Sequence, residues 1–427
     1  MRGLRCQVCT GCGLCPGVIG AGRSGAAGGM HILAGEAAGG AKLDLRNERG
    51  LRLASADIGT TTIAMELYGE DGRTRDTHVT VNPQVKYGSD VLSRIAAASD
   101  PEVRKDLQSL VKSALAQGVK RFLKCLDKDE RLVMVIAANT TMSYLLMGWD
   151  PAELGRAPFH ASKLEGAFFD LEPEDSEQIS VSCLLLPGIS AFVGGDVFAG
   201  IHACKMAEKE ELTLLIDLGT NGEMALGNRE KLLATATAAG PAFEGGASRG
   251  IWGADMVRFV AELRQEGLLD ESGLLAEPYF TKGIRIGNVM VTKEAIRSFQ
   301  VAKAAIAAGI RILTEEYGIA LTDIQQVVLA GGFGYYLRPE DAARIGMLPK
   351  ELEKKTVSGG NTALLGAKLL GASLLRETDF CPERFGEFLR DGRIGRYLQA
   401  KTLNLAQHPH FQDYYINAME LCERNGK

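Results

Sequence analysis

A chain of 427 residues with 46% apolar and 24% charged residues and only 13 prolines has the balance of a folded globular protein, which excludes wholesale disorder and fibrous repeats. Its 48 basic and 53 acidic residues leave a net charge of −5, so the composition does not point to nucleic acid. No uninterrupted apolar stretch reaches the roughly 18–20 residues of a membrane span, and cysteines stand where a signal peptide would carry its apolar core; a cytoplasmic protein with no membrane partner is expected.

Residues 1–16 carry Cys6, Cys9, Cys12 and Cys15 and are read as a metal-binding segment, because clustered cysteines in a long intracellular chain bind metal more often than they form disulfides. The other five cysteines are scattered through apolar or helical stretches and read as buried thiols. Residues 17–50 follow as a linker: nine of the 24 positions from Gly17 to Gly40 are glycine, with little to bury. From residue 51 onward, strand-length apolar runs at Leu53–Ile58, Thr62–Leu67, Leu132–Ala138, Val181–Leu185, Leu212–Leu218 and Val327–Ala330 are bounded by Gly, Pro or Asp. Helical spacing recurs at Asp90–Ala97, Val103–Cys125, Val197–Lys205, Lys293–Tyr317 and Thr362–Leu375. This alternation predicts an α/β fold with mixed sheets flanked by helices. Lobes are expected over residues 51–205 and 206–375, with residues 376–427 as a C-terminal extension.

A repeated turn carries most of the chemistry. Asp57-Ile58-Gly59-Thr60-Thr61-Thr62 stands between two strands, and 160 positions later Asp217-Leu218-Gly219-Thr220-Asn221-Gly222 stands between two more. Glycine lets backbone N–H groups approach an anion, hydroxyls add donors, and the carboxylate can hold Mg²⁺ or orient a water. Two such turns facing each other would clamp a triphosphate. Three further elements follow the same logic. Gly194-Gly195-Asp196 opens a helix, and Leu329-Ala330-Gly331-Gly332-Phe333-Gly334 joins a strand to a helix where a flat nucleoside can approach. Asn361-Thr362-Ala363 starts another helix.

In order, these elements resemble the phosphate 1, connect 1, phosphate 2, adenosine and connect 2 motifs of the actin, sugar-kinase and heat-shock-chaperone ATPase superfamily. The resemblance implies a two-lobed, duplicated ribonuclease H-like fold that binds ATP and Mg²⁺. It implies Asp57 and Asp217 as the Mg²⁺-side acids, Asp196 as the group orienting the attacking water, and Gly331 and Gly332 beside the adenosine.

Asn82-Pro83-Gln84, the run Tyr87 to Ile95, Asn139-Thr140-Thr141-Met142, Gly240-Pro241-Ala242-Phe243-Glu244-Gly245 and the ending Phe411-x-x-Tyr414-x-x-x-Ala418-Met419 narrow the choice. From Leu51 onward the chain resembles the reductive activators of corrinoid proteins, iron-sulfur proteins that use ATP to return Co(II) to Co(I). That resemblance implies a corrinoid protein of a methyltransferase system as partner, a low-potential donor such as a ferredoxin, and a homodimer. Independently of it, Asn139 suits a helix N-cap, and Glu244 among glycines suits a ribose or a metal-bound water.

Cys6-x-x-Cys9-x-x-Cys12-x-x-Cys15-Pro16 is close to the bacterial ferredoxin run, with a final gap of two residues rather than three. The corrinoid activators carry a plant-type 2Fe-2S ferredoxin, a linker and a middle domain at the front, and these are expected to be missing here. A 4Fe-4S cluster on the short peptide is expected instead, held by all four cysteines or shared across a dimer. A zinc site is the alternative, although zinc ribbons separate their cysteine pairs by about 15–20 residues. Three other functions remain open: an activator of 2-hydroxyacyl-CoA dehydratases, a small-molecule kinase with a zinc knuckle, and a nucleotide-dependent scaffold.

Overall fold

The computed structural model describes residues 43–47, 50–173, 180–219, 221–237, 253–286, 289–378, 380–390 and 394–422. Cys6, Cys9, Cys12, Cys15, Thr220 and Glu244 lie outside them. Strands β1 (Leu51–Ile58), β2 (Thr62–Tyr68), β3 (Thr74–Val81), β4 (Arg131–Ala138), β5 (Ala167–Leu171) and β6 (Val181–Leu185) form one sheet in the order β3-β2-β1-β4-β6-β5. A second sheet joins β7 (Thr213–Leu218), β8 (Gly222–Gly227), β9 (Leu232–Thr237), β12 (Gln326–Ala330), β13 (Thr356–Gly360) and β14 (Lys401–Leu403) in the order β13-β12-β7-β8-β9-β14. Between β9 and β12 in sequence, β10 (Ile284–Ile286) and β11 (Val289–Val291) make a separate hairpin.

The two sheets repeat one plan. β1 runs antiparallel to β2 and parallel to β4, which is parallel to β6. β7 runs antiparallel to β8 and parallel to β12, which is parallel to β13. The expected α/β architecture of mixed sheets is what the chain adopts.

Period-two alternation assigns the faces. In β1, Ala54, Ala56 and Ile58 pack with Leu107, Val111, Leu115, Val119 and Phe122 of the helix Pro101–Leu123 on the outside. Leu53 turns the other way, into a cluster with Val133 and Val135 of β4, Leu215 of β7 and Ala225 of β8. In β7, Leu214, Ile216 and Leu218 face out toward the helix Lys293–Tyr317. The inner faces of both sheets therefore share a central layer, built from the helices Gly195–Ala203 and Thr362–Glu377. Full burial of each Leu, Ile or Val there contributes roughly 1.5–3 kcal/mol.

Gly366 sets the closeness of those two helices, since a Cβ there would fall on the Ala199 carbonyl. The helix Thr362–Glu377 follows β13 of the second sheet in sequence, yet it packs on β1 and β4 of the first.

The C-terminal extension touches all three layers. Phe380 and Phe385 meet Phe168 of β5 edge-on, and Tyr397 meets His202 of the central helix. β14 then adds an edge to the second sheet beside β9. The end of the chain is fastened by Gln300, whose Nε2 donates to the Met419 carbonyl at 2.9 Å, and by Arg264, whose Nε donates to the Leu421 carbonyl at 2.7 Å. Among the described residues, no helix is long and apolar enough to cross a membrane.

Candidate nucleotide site

Where the inner faces of β1 and β7 reach their carboxyl ends, the apolar pattern gives way to acid. Asp57 continues the Leu53, Ser55 row of β1, and Asp217 follows Leu215 on β7. Asp196 joins them from the first turn of the central helix Gly195–Ala203. Gly194 allows this approach, since a Cβ there would lie 2.5 Å from Asn139 Cα at the end of β4.

The three carboxyls sense one another. Burial raises Asp57 to about 6, opposed by a 2.7 Å hydrogen bond from Asn361 Nδ2. Burial first and then the charge of Asp57 raise Asp196 to about 7. Asp217 rises to about 8, through burial and then the charges of Asp196 and Asp57. Burial is the main cause throughout, and the secondary influence of Asp57 on Asp196, and of both on Asp217, reflects their closeness. Such an all-oxygen donor set suits a hard divalent cation such as Mg²⁺, whose charge would relieve the repulsion.

The turns beside the acids are built differently. In the first, Gly59 N–H donates to the Thr62 carbonyl at 2.9 Å, and strand pairing resumes at Ile58 with Ile63. In the second, Gly219 N–H donates to the Asn221 carbonyl at 3.0 Å, and pairing resumes at Leu218 with Gly222. The second turn is thus one residue shorter, which changes the residue opposite the acid. Asp57 faces Ala64 across the β1–β2 pair, whereas Asp217 faces Glu223 across β7–β8.

Glu223 is 9% exposed. Burial and the charges of Asp196 and Asp217 drive its pKa far up, against a hydrogen bond from the Asn221 side chain. It was not among the residues singled out from the sequence. Registering the two hairpins on their acids would have exposed it as the lobe-specific difference.

The other expected residues distribute as follows. Asn361 caps the helix Thr362–Glu377 by accepting from Leu364 N–H at 2.8 Å while its amide reaches Asp57, so one side chain ties the start of that helix to the first acid. Gly331 has φ +83°, and a Cβ there would overlap Asp217 Oδ1 and sit 2.6 Å from the Leu218 carbonyl, so this turn rests directly on the second acid strand. Gly332 is exposed, with open space where a Cβ would be. Phe333 is placed by its backbone in the short helix Gly331–Gly334. Thr60 is buried, and its Oγ1 accepts from Asn139 Nδ2 at 3.3 Å; Thr61 is half-buried and Thr62 opens β2. Asn139 meanwhile caps the helix Thr140–Met147 through Met142 N–H at 2.9 Å, so it serves both as N-cap and as a support of the first turn. Among the described residues no group of three or more His, Cys, Asp or Glu has the arrangement of a ready metal site, and the expected sulfur ligands lie outside them.

With this geometry in place, the chain can be set beside known proteins. Residues 53–209 match the family model of the RACo middle region, and residues 211–249 and 246–427 match that of the C-terminal domain of RACo, the ASKHA domain. The first match corrects the expectation that a middle region is missing: it follows residue 51, whereas the short leader had been taken as the only place for it. The corrinoid activation enzyme RamQ of Eubacterium limosum is 31% identical, over 73% of this chain and 63% of that protein. The [Co(II) methylated amine-specific corrinoid protein] reductase of Methanosarcina barkeri is 25% identical, over 54% of this chain and 50% of that protein. The chain therefore spans 63% and 50% of the length of these curated relatives. A solved structure, a reductive activator for corrinoid, iron-sulfur protein, superposes with a TM-score of 0.73 at 28% identity, over 88% of this chain and 67% of that one.

Proposed function

The chain belongs to the RACo family, and from that premise we propose that it couples ATP hydrolysis to the one-electron reduction of a partner corrinoid protein from Co(II) to Co(I). The observation that carries the ATP half is the convergence of Asp57 and Asp217, at the carboxyl ends of two duplicated strands, with Asp196, at the start of a helix. The names of the relatives supply the corrinoid half.

In this reading Asp57 and Asp217, with Glu223 beside them, would hold Mg²⁺, which when bound supplies charge neutralisation for the triphosphate. Asp196 orients the attacking water and receives its proton, and its burial raises its basicity above that of an exposed carboxylate. The turn Gly59–Thr62 and the turn from Gly219 to Gly222 embrace the phosphates from opposite lobes, and Gly331 and Gly332 receive the adenosine. Cys6, Cys9, Cys12 and Cys15 would hold a 4Fe-4S cluster, which supplies single-electron transfer from a low-potential donor such as a ferredoxin. For one electron, each 59 mV against the gradient costs about 1.4 kcal/mol, so a gap of a few hundred millivolts is within reach of closure driven by nucleotide. A cytoplasmic homodimer completes the proposal.

The test is anaerobic purification with iron, sulfide and zinc analysis, followed by an assay of Co(I) formation with a corrinoid protein, reductant and Mg·ATP. Cys9→Ser should abolish Co(I) formation and leave ATP binding intact. Protein that contains zinc and no iron, or Co(I) formation without ATP, would overturn the proposal.

A further inference from the structure

The first phosphate turn is held from behind by a buried cation. Arg94, in the helix Val91–Ala97, is 0% exposed. Its guanidinium donates to the Thr60 carbonyl at 2.7 Å and to the Gly88 carbonyl at 3.0 Å, and approaches Gln84 Oε1 at 3.4 Å. Asn82, equally buried, donates from Nδ2 to the Gly59 carbonyl at 2.9 Å and from its backbone N–H to the Thr61 carbonyl at 2.8 Å. Three consecutive carbonyls, those of Gly59, Thr60 and Thr61, are thus claimed by two side chains and one backbone group of the same flanking segment.

Stereochemistry then fixes the other side of the turn. In a trans peptide the N–H points away from the C=O of the preceding residue. Carbonyls of Gly59 and Thr60 drawn toward Asn82 and Arg94 turn the N–H groups of Thr60 and Thr61 the opposite way. The positive ends of two peptide dipoles then face away from the flanking segment, with a full positive charge directly behind them. Both contributions favour an anion, and burial keeps the guanidinium from being screened by salt. Arginine suits this role because its charge is permanent and its fork reaches two carbonyls at once.

We propose that Arg94 is the positioning residue of the first phosphate turn, orienting it and lending it charge so that the site selects nucleotides carrying β- and γ-phosphates over AMP. This rests on the reading of the site as an ATP site and deepens it: Arg94 acts through Gly59–Thr61 without touching the ligand.

The experiment is calorimetric titration of the full-length chain with Mg·ATP, Mg·ADP and AMP, for the wild type and for Arg94→Gln and Arg94→Lys, with a thermal melt of each. Arg94→Gln should weaken ATP and ADP by about tenfold or more and leave AMP within about twofold, so that the ATP-to-AMP affinity ratio falls. Arg94→Lys keeps the charge without the fork and should fall between the two. If Arg94→Gln does not fold, Arg94→Lys decides alone, and an unchanged ATP-to-AMP ratio in it overturns the proposal. An equal loss for ATP and AMP would also overturn it, by showing that Arg94 only supports the fold. A wild type that binds no ATP would refute the underlying site reading as well, whereas wild-type binding with an unaltered ratio in Arg94→Gln refutes this inference alone.

Discussion

Replacing Asp217 by Asn should make the nucleotide-free protein more stable while disabling it. An exposed carboxyl of this type ionises at 3.8, but Asp217 in the fold does so near 8, because burial and the neighbouring charges of Asp196 and Asp57 penalise its anion. The folded state therefore holds a proton that the unfolded chain releases. Below about pH 4 both states are protonated and no penalty exists. As pH rises from there toward 8 the penalty grows, and above 8 it is constant. At pH 7 the part of the shift already expressed, from 3.8 up to 7, corresponds to about 4 kcal/mol, and allowing for the partial exposure of Asp217 leaves about 2–4 kcal/mol. An uncharged Asn avoids this cost. In a chain of 427 residues that raises the melting temperature by roughly 2–5 °C.

The assay is scanning calorimetry between pH 5 and 8.5 without nucleotide or divalent cation. Wild type should lose stability steadily as pH rises, and Asp217→Asn should follow a shallower line lying above it. The variant should also hydrolyse ATP roughly 10²-fold more slowly. A melting point at pH 7.5 that is unchanged or lower in Asp217→Asn would refute the reasoning, since the acid could not then be under electrostatic strain.

Asn361→Ala removes both the helix cap and the hydrogen bond to Asp57, so it should cost about 2 kcal/mol in chemical unfolding. Because that bond opposes the rise of Asp57, the acid limb of the ATPase pH profile should also move upward. Glu223→Gln keeps the shape of the side chain and removes its charge; the Mg²⁺ concentration for half-maximal hydrolysis should rise about tenfold, and no change would place Glu223 outside the cation site. His202, held to about 4 by burial, is neutral in the fold, so its contribution to stability is complete above 6.5 and is lost as pH falls from 6.5 toward 4. His202→Phe, packed against the edge of Tyr397, should flatten that acid limb in calorimetry by about 2–3 kcal/mol.

The strands legible in the sequence are the central ones. β1, β2, β4, β6, β7 and β12 are largely buried on both faces, so they read as apolar runs closed by Gly, Asn or Pro. Most of the missed strands owe their existence to pairing more than to composition, although β9, a buried interior strand between β8 and β14, was missed as well. β3 is the half-exposed, Thr-rich edge of its sheet, β5 another edge, and β14 three residues beside β9. The convergence of Asp57 and Asp217 could be anticipated because duplication repeats a motif at fixed spacing. The support beneath it could not. Asn82 and Arg94 reach backbone carbonyls 23 and 34 residues away, and a lone arginine on a short helix carries no sign that it is fully buried. Counting six residues on from each acid gives Ile63 in the first hairpin and Glu223 in the second, a difference the sequence held, while the placing of Glu223 opposite Asp217 rests on a turn one residue shorter.

That asymmetry and the shared central layer together constrain how the two lobes can work. The helix Thr362–Glu377 leaves the second sheet, lies on β1 and β4 of the first, and presents Asn361 to Asp57 at its start. The helix Gly195–Ala203 leaves the first sheet, reaches β7 and β8 of the second, and presents Asp196 at its start. Each lobe therefore contributes one helix whose first residues sit at the acids; the helix Thr362–Glu377 packs on the opposite sheet, and the helix Gly195–Ala203 lies between β4 of its own sheet and β7 and β8 of the other. Any change in the angle between the sheets has to move both helix starts relative to Asp57 and Asp217. Conversely, neutralising the repelling carboxyls removes the force that resists their approach. On the proposed reading, closure and cation binding would be coupled, and the close approach of Gly366 to the Ala199 carbonyl ties the two helices together within the central layer.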